Sequence, residues 1–161
     1  AGWQTQVAEA TVQQTMQEAI RAVTGEVTYV LGASRTDAGV HALGQVAHFR
    51  TLSGLSAAEF QRALNALLPP AIRIMAAEEV GPDFHSRWSA LGKTYRYRLF
   101  RGRVVPPSEW RYVLHYPYPL DEPAMAAAAG TRFPRAVAQA SARAAPGATT
   151  QAASARPKLR E

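Results

Sequence analysis

Asp37 is the only carboxylate in the run Gly32-Ala33-Ser34-Arg35-Thr36-Asp37-Ala38-Gly39-Val40-His41-Ala42-Leu43-Gly44-Gln45-Val46-Ala47-His48-Phe49. Arg35, two residues earlier, carries a cation that no physiological pH removes, and such a neighbour can hold a carboxylate ionised. Glycines at 32, 39 and 44 open backbone conformations closed to residues with a Cβ, and they let the chain approach a planar ligand. An ionised acid in such a loop suits a nucleophile. The plainer reading is that Asp37 only tightens a turn, as Asp often does by bonding its own backbone. A dinucleotide-binding loop fits less well: the glycine spacing departs from G-x-G-x-x-G, the following segment reads as a strand, and Asp37 would face a phosphate.

A second group lies further on. Lys93, Arg96, Arg98, Arg101, Arg103 and Arg111 share a short region with Tyr95, Tyr97, Phe100 and Trp110. Basic side chains interleaved with aromatics suit phosphate contact combined with base stacking. A solvated strand face explains the same pattern, and the residues alone leave both readings open. His41, His48 and His85 do not have the close spacing of metal ligands and read as structural or RNA-facing.

The signature around Asp37 closely resembles that of the TruA-type tRNA pseudouridine synthases, through the eight-residue run Arg-Thr-Asp-Ala-Gly-Val-His-Ala. The resemblance continues in Gly2-Trp3-Gln4, Ala63-Leu64-Asn65-Ala66-Leu67-Leu68-Pro69, Asp83-Phe84-His85-Ser86-Arg87-Trp88-Ser89-Ala90, Lys93-Thr94-Tyr95-Arg96-Tyr97-Arg98 and His115-Tyr116-Pro117-Tyr118-Pro119. It implies an isomerase that detaches a uracil from its ribose, turns it and rejoins it through carbon 5, acting on the anticodon stem-loop of tRNA as a homodimer when full length. Asp37 is then the catalytic nucleophile and Arg35 its partner. Tyr95 stacks on the uracil, and Lys93, Arg96 and Arg98 contact the substrate. No metal and no cofactor are required. Ser34 departs from the family, which usually has Gly there; if that position needs a positive φ, Ser34 is strained.

The elements that hold these residues follow from periodicity. Thr11 with Gln14 makes a capping-box pattern, and Val12, Met16, Ala19, Ile20 and Val23 recur at helical spacing up to Gly25. Val27 to Leu31 and Gln45 to Arg50 read as strands flanking the loop. Ser56 with Glu59 opens a second helix whose stripe is Phe60, Leu64, Leu67 and Leu68, stopped by Pro69-Pro70. Ile72, Ile74 and Ala76 alternate in a strand running towards Val80. Lys93 to Phe100 and Arg111 to Tyr118 are further strands, and Asp121 caps a short Ala-rich helix from Glu122 to Ala129.

The expected fold class is α+β. Its helix, strand, strand, helix, strand order is a ferredoxin-like β-α-β-β-α-β unit without its first strand, and family resemblance implies that strand just before Gly2-Trp3-Gln4. Three regions are expected: an incomplete catalytic ferredoxin-like domain over 1–92, the start of a second domain over 93–130, and a disordered tail, foreign to the family, over 131–161. The tail offers only Phe133, Val137 and Leu159 as sizeable apolar groups. On this reading the family's sequence is lost near Gly130.

Charge and composition bound the remainder. The net charge is +6, but residues 131–161 hold six basic groups against Glu161 alone, leaving the first 130 residues near neutral. With no cysteine, disulfides and thiolate metal sites are excluded, which fits a reducing cytoplasm. No run has the length of a membrane span. A pseudouridine synthase is therefore the leading expectation, an inactive RNA-binding fragment of one the alternative, and a nucleotide-dependent oxidoreductase a distant third.

Overall fold

The computed structural model describes residues 2–7, 9–132 and 136–143, with the side chains of 129–132 and 136–143 left out of the description. It is α+β, with three helices and two small sheets among the described residues. The chain divides into two compact units, Ala1–Ala90 and Leu91–Glu161.

In the first unit, α1 spans Val12–Thr24. Thr11 Oγ1 accepts the Gln14 N–H at 3.3 Å, while the Gln14 side chain donates to Glu18 instead of reaching back. The expected capping box is therefore half formed. Gly25, at φ 77°, ends the helix in the left-handed conformation that favours glycine. Helix α2, Ala57–Leu67, has the complete box: Ser56 Oγ accepts the Glu59 N–H and Glu59 Oε2 accepts the Ser56 N–H. Two bonds donated to that carboxylate, from Ser56 Oγ at 2.6 Å first and then from the Ser56 N–H, hold the Glu59 carboxyl below the usual carboxylate range.

The two helices pack on one another over a core of Trp3, Met16, Ala19, Ile20, Val30, Phe60, Leu64 and Leu68, with Ile72 and Ile74 against it. Leu67, counted in the apolar stripe from its spacing, is instead 54% exposed. Gln13, a polar residue on the helix, is buried. Its Nε2 donates to Val30 O at 2.9 Å and its Oε1 accepts the Thr5 N–H at 3.1 Å, so both ends of the amide are satisfied.

Strand pairing is shorter than the extended runs suggested. Strand β1, Leu31–Gly32, pairs antiparallel with β2, Ala47–His48, in the register Leu31 with His48 and Gly32 with Ala47. The strand expected from Ile72 forms no ladder. In its place α2 reaches over: Asn65 Oδ1 accepts Ile74 N–H at 2.9 Å, and both Asn65 Nδ2 and Gln61 Nε2 donate to Ile74 O. Side-chain amides thus satisfy the backbone groups that a neighbouring strand would otherwise take.

In the second unit, β3 spans Lys93–Phe100. It pairs in parallel with β4, Leu114–His115, and with β5, Ala136–Arg143, giving the order β4-β3-β5. Only Leu114 and His115 of the run expected from Arg111 to Tyr118 enter a ladder. Helix α3, Glu122–Arg132, begins as expected, with Asp121 Oδ1 accepting the Ala124 N–H at 2.9 Å. Strand β5 lies within 131–161, the region expected to be a tail. Its pairing uses backbone groups, which an Ala-rich segment supplies as well as a bulkier apolar one. The rest of the expected tail beyond Arg143 lies outside the described residues.

Candidate active-site loop

The loop between β1 and β2 is closed at its neck by Ala33 N–H to Val46 O at 2.8 Å and by Gln45 Nε2 to Ser34 O at 2.7 Å. Across from it runs Gly2-Trp3. The buried Trp3 donates its N–H to Thr36 O at 3.0 Å and accepts the Gln13 N–H at 3.0 Å, while Gly2 O accepts Val12 N–H at 3.2 Å. The loop is thereby tied to the start of α1. A Cβ at position 2 would collide with the Thr36 carbonyl oxygen, so the close approach requires glycine there.

At the loop's tip, Val40 N–H bonds to Asp37 O at 3.2 Å, and Gly39 sits at φ 79°. Asp37 to Val40 is therefore a turn with glycine at the position where a type II turn needs positive φ. The turn is closed by the backbone of Asp37 and not by its side chain. That carboxylate is exposed and has neither a hydrogen bond nor an ion pair among the described residues, which argues against a merely turn-tightening role. Ser34 is unstrained, since no residue other than glycine has positive φ among those described.

Arg35 and Asp37 flank Thr36, whose carbonyl accepts the Trp3 N–H. Arg35 and Asp37 line one open recess of about 310 Å³ together with Gly2, Gln4, Gln6, Glu9, Thr36 and Ala38. No ion pair joins the two charges, so the geometry brings Arg35 beside the recess without locking it to the carboxylate. Gln4 and Gln6 were not singled out as site residues from sequence. The signal was present in Gly2-Trp3-Gln4, whose buried tryptophan fixes the residue that follows it.

Behind the loop, Ser86 is fully buried and joins three segments. Its Oγ donates to Leu31 O at 2.8 Å and lies 2.9 Å from His48 Nδ1, and its N–H donates to the same nitrogen at 3.2 Å. Burial, then the nearby His85 and Arg50, push the His48 imidazole below its ordinary 6.5. His85 stacks on Trp88 with ring centroids 3.9 Å apart. Among the described residues no cluster of three His, Cys, Asp or Glu is placed to hold a metal ion.

The remaining candidates, Lys93, Tyr95, Arg96 and Arg98, lie on β3 in the second unit. Tyr95 is 44% and Tyr97 70% exposed, so neither ring is buried in a core. Arg98 faces Glu109 at 3.6 Å, Arg101 bonds Glu122 at 2.7 Å, and Arg111 lies 5.4 Å from the centre of the Trp110 ring. Part of the basic cluster is thus engaged within the unit, in ion pairs worth little individually at a surface.

Residues 2–89 match the family model described as tRNA pseudouridine synthase. The chain belongs to the tRNA pseudouridine synthase family. It is 53% identical over 125 residues to the tRNA pseudouridine synthase A of Solibacter usitatus, covering 78% of this chain and 52% of that protein. It is 46% identical to tRNA pseudouridine synthase A 1 of Desulfotalea psychrophila, over 78% of this chain and 50% of that one. For tRNA pseudouridine synthase A of Caldicellulosiruptor saccharolyticus the identity is 46%, over 74% and 49%. The chain spans about half the length of these relatives. Membership in the tRNA pseudouridine synthase family also disposes of the oxidoreductase reading, since the loop after β1 leads into a strand and not into a phosphate-binding helix.

Proposed function

We propose that this chain carries the nucleophile-bearing part of a tRNA pseudouridine synthase, which isomerises uridine to pseudouridine in the anticodon stem-loop. The observation that carries this reading is the Arg-Thr-Asp-Ala-Gly-Val-His-Ala run, folded so that the Asp37 carboxylate stands unpaired on an open recess in a family-matched segment. A uracil must leave its stack to reach such a group. Asp37 then attacks either the ribose anomeric carbon or the uracil ring. Arg35, at the same recess, favours the ionised acid and fills space the displaced base vacates. Tyr95 stacks on the uracil and assists proton removal from carbon 5, while Lys93, Arg96 and Arg98 meet phosphates.

The wider reading is a homodimer at full length, with residues 1–92 a ferredoxin-like catalytic domain short of its first strand and 93–130 the start of the next. The cysteine-free composition supports a reducing, cytoplasmic setting, and no described helix is long and apolar enough to cross a membrane. A second reading, an RNA-binding fragment without activity, is favoured by one fact: the chain spans about half of its relatives.

The test is tritium release from tRNA labelled at uracil carbon 5. Release that Asp37→Ala abolishes is the expected result. RNA binding without any release would establish the second reading.

A further inference from the structure

We infer that Gln4 holds the edge of the uracil that keeps its place while the ring turns. The inference rests on the proposed isomerisation and adds a residue and a contact to it. Gln4 lines the same recess as Asp37 and Arg35. The chain on either side of it is fixed: Trp3 is buried and bonded to both Thr36 and Gln13, and Thr5 N–H donates to Gln13 Oε1 at 3.1 Å. Its own carboxamide is exposed and has no hydrogen-bond partner among the described residues. A donor and an acceptor thus stand ready on an anchored stretch of backbone. Gln6 lines the recess too, but it stands beyond the tie made by Thr5.

The chemistry selects which edge a carboxamide would take. Isomerisation breaks the bond from N1 to the ribose and forms one from C5; a proton leaves C5 and another arrives at N1, with no change of oxidation state. The ring turns about the line through N3 and C6. That rotation exchanges N1 with C5 and the C2 carbonyl with the C4 carbonyl, but it returns N3–H to its own position. Gln4 Oε1 accepts N3–H and its Nε2 donates to the carbonyl alongside, which is C4 before the turn and C2 after it. The same two hydrogen bonds therefore serve substrate and product. Turned over, the amide pairs equally well with cytosine, so Gln4 positions the base and does not select it.

The test is an NMR titration of the full 161-residue chain with uridine 5′-monophosphate and with its N3-methyl analogue. The side-chain NH₂ signals of Gln4 should shift with the first and not with the second. Gln4→Leu should weaken binding of the first about tenfold, the scale of two lost hydrogen bonds, and leave the second unchanged. If the amides of Asp37 and Ala38 shift while Gln4 is silent, or if both nucleotides act alike on Gln4, this inference is wrong and the proposed function stands. If no signal from the recess moves with either nucleotide, both fail together.

Discussion

The neutral His48 ring receives the Ser86 N–H on Nδ1, and burial together with His85 and Arg50 makes its protonated form unfavourable in the folded chain. Unfolded, the same imidazole takes a proton at its ordinary value of 6.5. As the pH falls through that value the unfolded state binds the proton first, so stability present above about pH 7 declines until the folded value is passed. Urea midpoints measured at about pH 7.5 and about pH 5.5 should fall more for the natural chain than for His48→Gln. The other three histidines are common to both proteins, so the difference between them isolates His48; equal slopes would show that its environment does not penalise the charge. The site itself was only partly legible at this scale. Asp37 and Arg35 stand out by type and spacing, but Gln4 is placed by the bonds of Trp3 to Thr36 and Gln13, and Ser86 bonds Leu31 O and His48, partners far away in sequence that local pattern does not encode.

Among the elements, the segment held by α2 separates what sequence pattern can and cannot reveal. Asn65 bonds both backbone groups of Ile74, and it is half-buried. Asn65→Ala leaves them without those partners and should cost about 1–3 kcal/mol. Leu67→Ala, two residues later on the exposed side, should change stability by less than about 0.5 kcal/mol. Urea unfolding of the two variants decides between them, and a larger loss for Leu67 would restore the spacing-based assignment. The starts of the three helices were legible because Thr11, Ser56, Glu59 and Asp121 act within a few residues of themselves. Strand limits were not. Val27 to Leu31 and Ile72 to Val80 have extended-chain composition, but a ladder also needs a partner at the right distance, and composition does not name one.

At the scale of the whole molecule, net positive charge and the proposed nucleophile are segregated. Residues 1–90, which hold Asp37, carry six basic and eight acidic side chains, a net −2; residues 91–161 carry twelve and four, a net +8. Among the described residues the buried apolar core lies in the first unit, from Trp3 to Leu68. Folding of that unit and attraction to a polyanion therefore rest on different parts of the chain. A fragment of residues 1–90 should keep the amide protection of Ile20 and Val30, since Ile20 is enclosed in the core and Val30 N–H bonds Gln17 within the same unit. Its affinity for a single-stranded RNA oligonucleotide should be weak and nearly insensitive to salt. The full chain should instead lose affinity steeply between about 50 and about 200 mM salt, because each neutralised phosphate releases counterions. Hydrogen exchange reads the first property and fluorescence anisotropy the second. A fragment that stays protected yet binds RNA with the full chain's salt slope would place the phosphate contacts on the Asp37 unit, against its own net charge; a fragment that loses protection would show that the core depends on residues beyond Ala90.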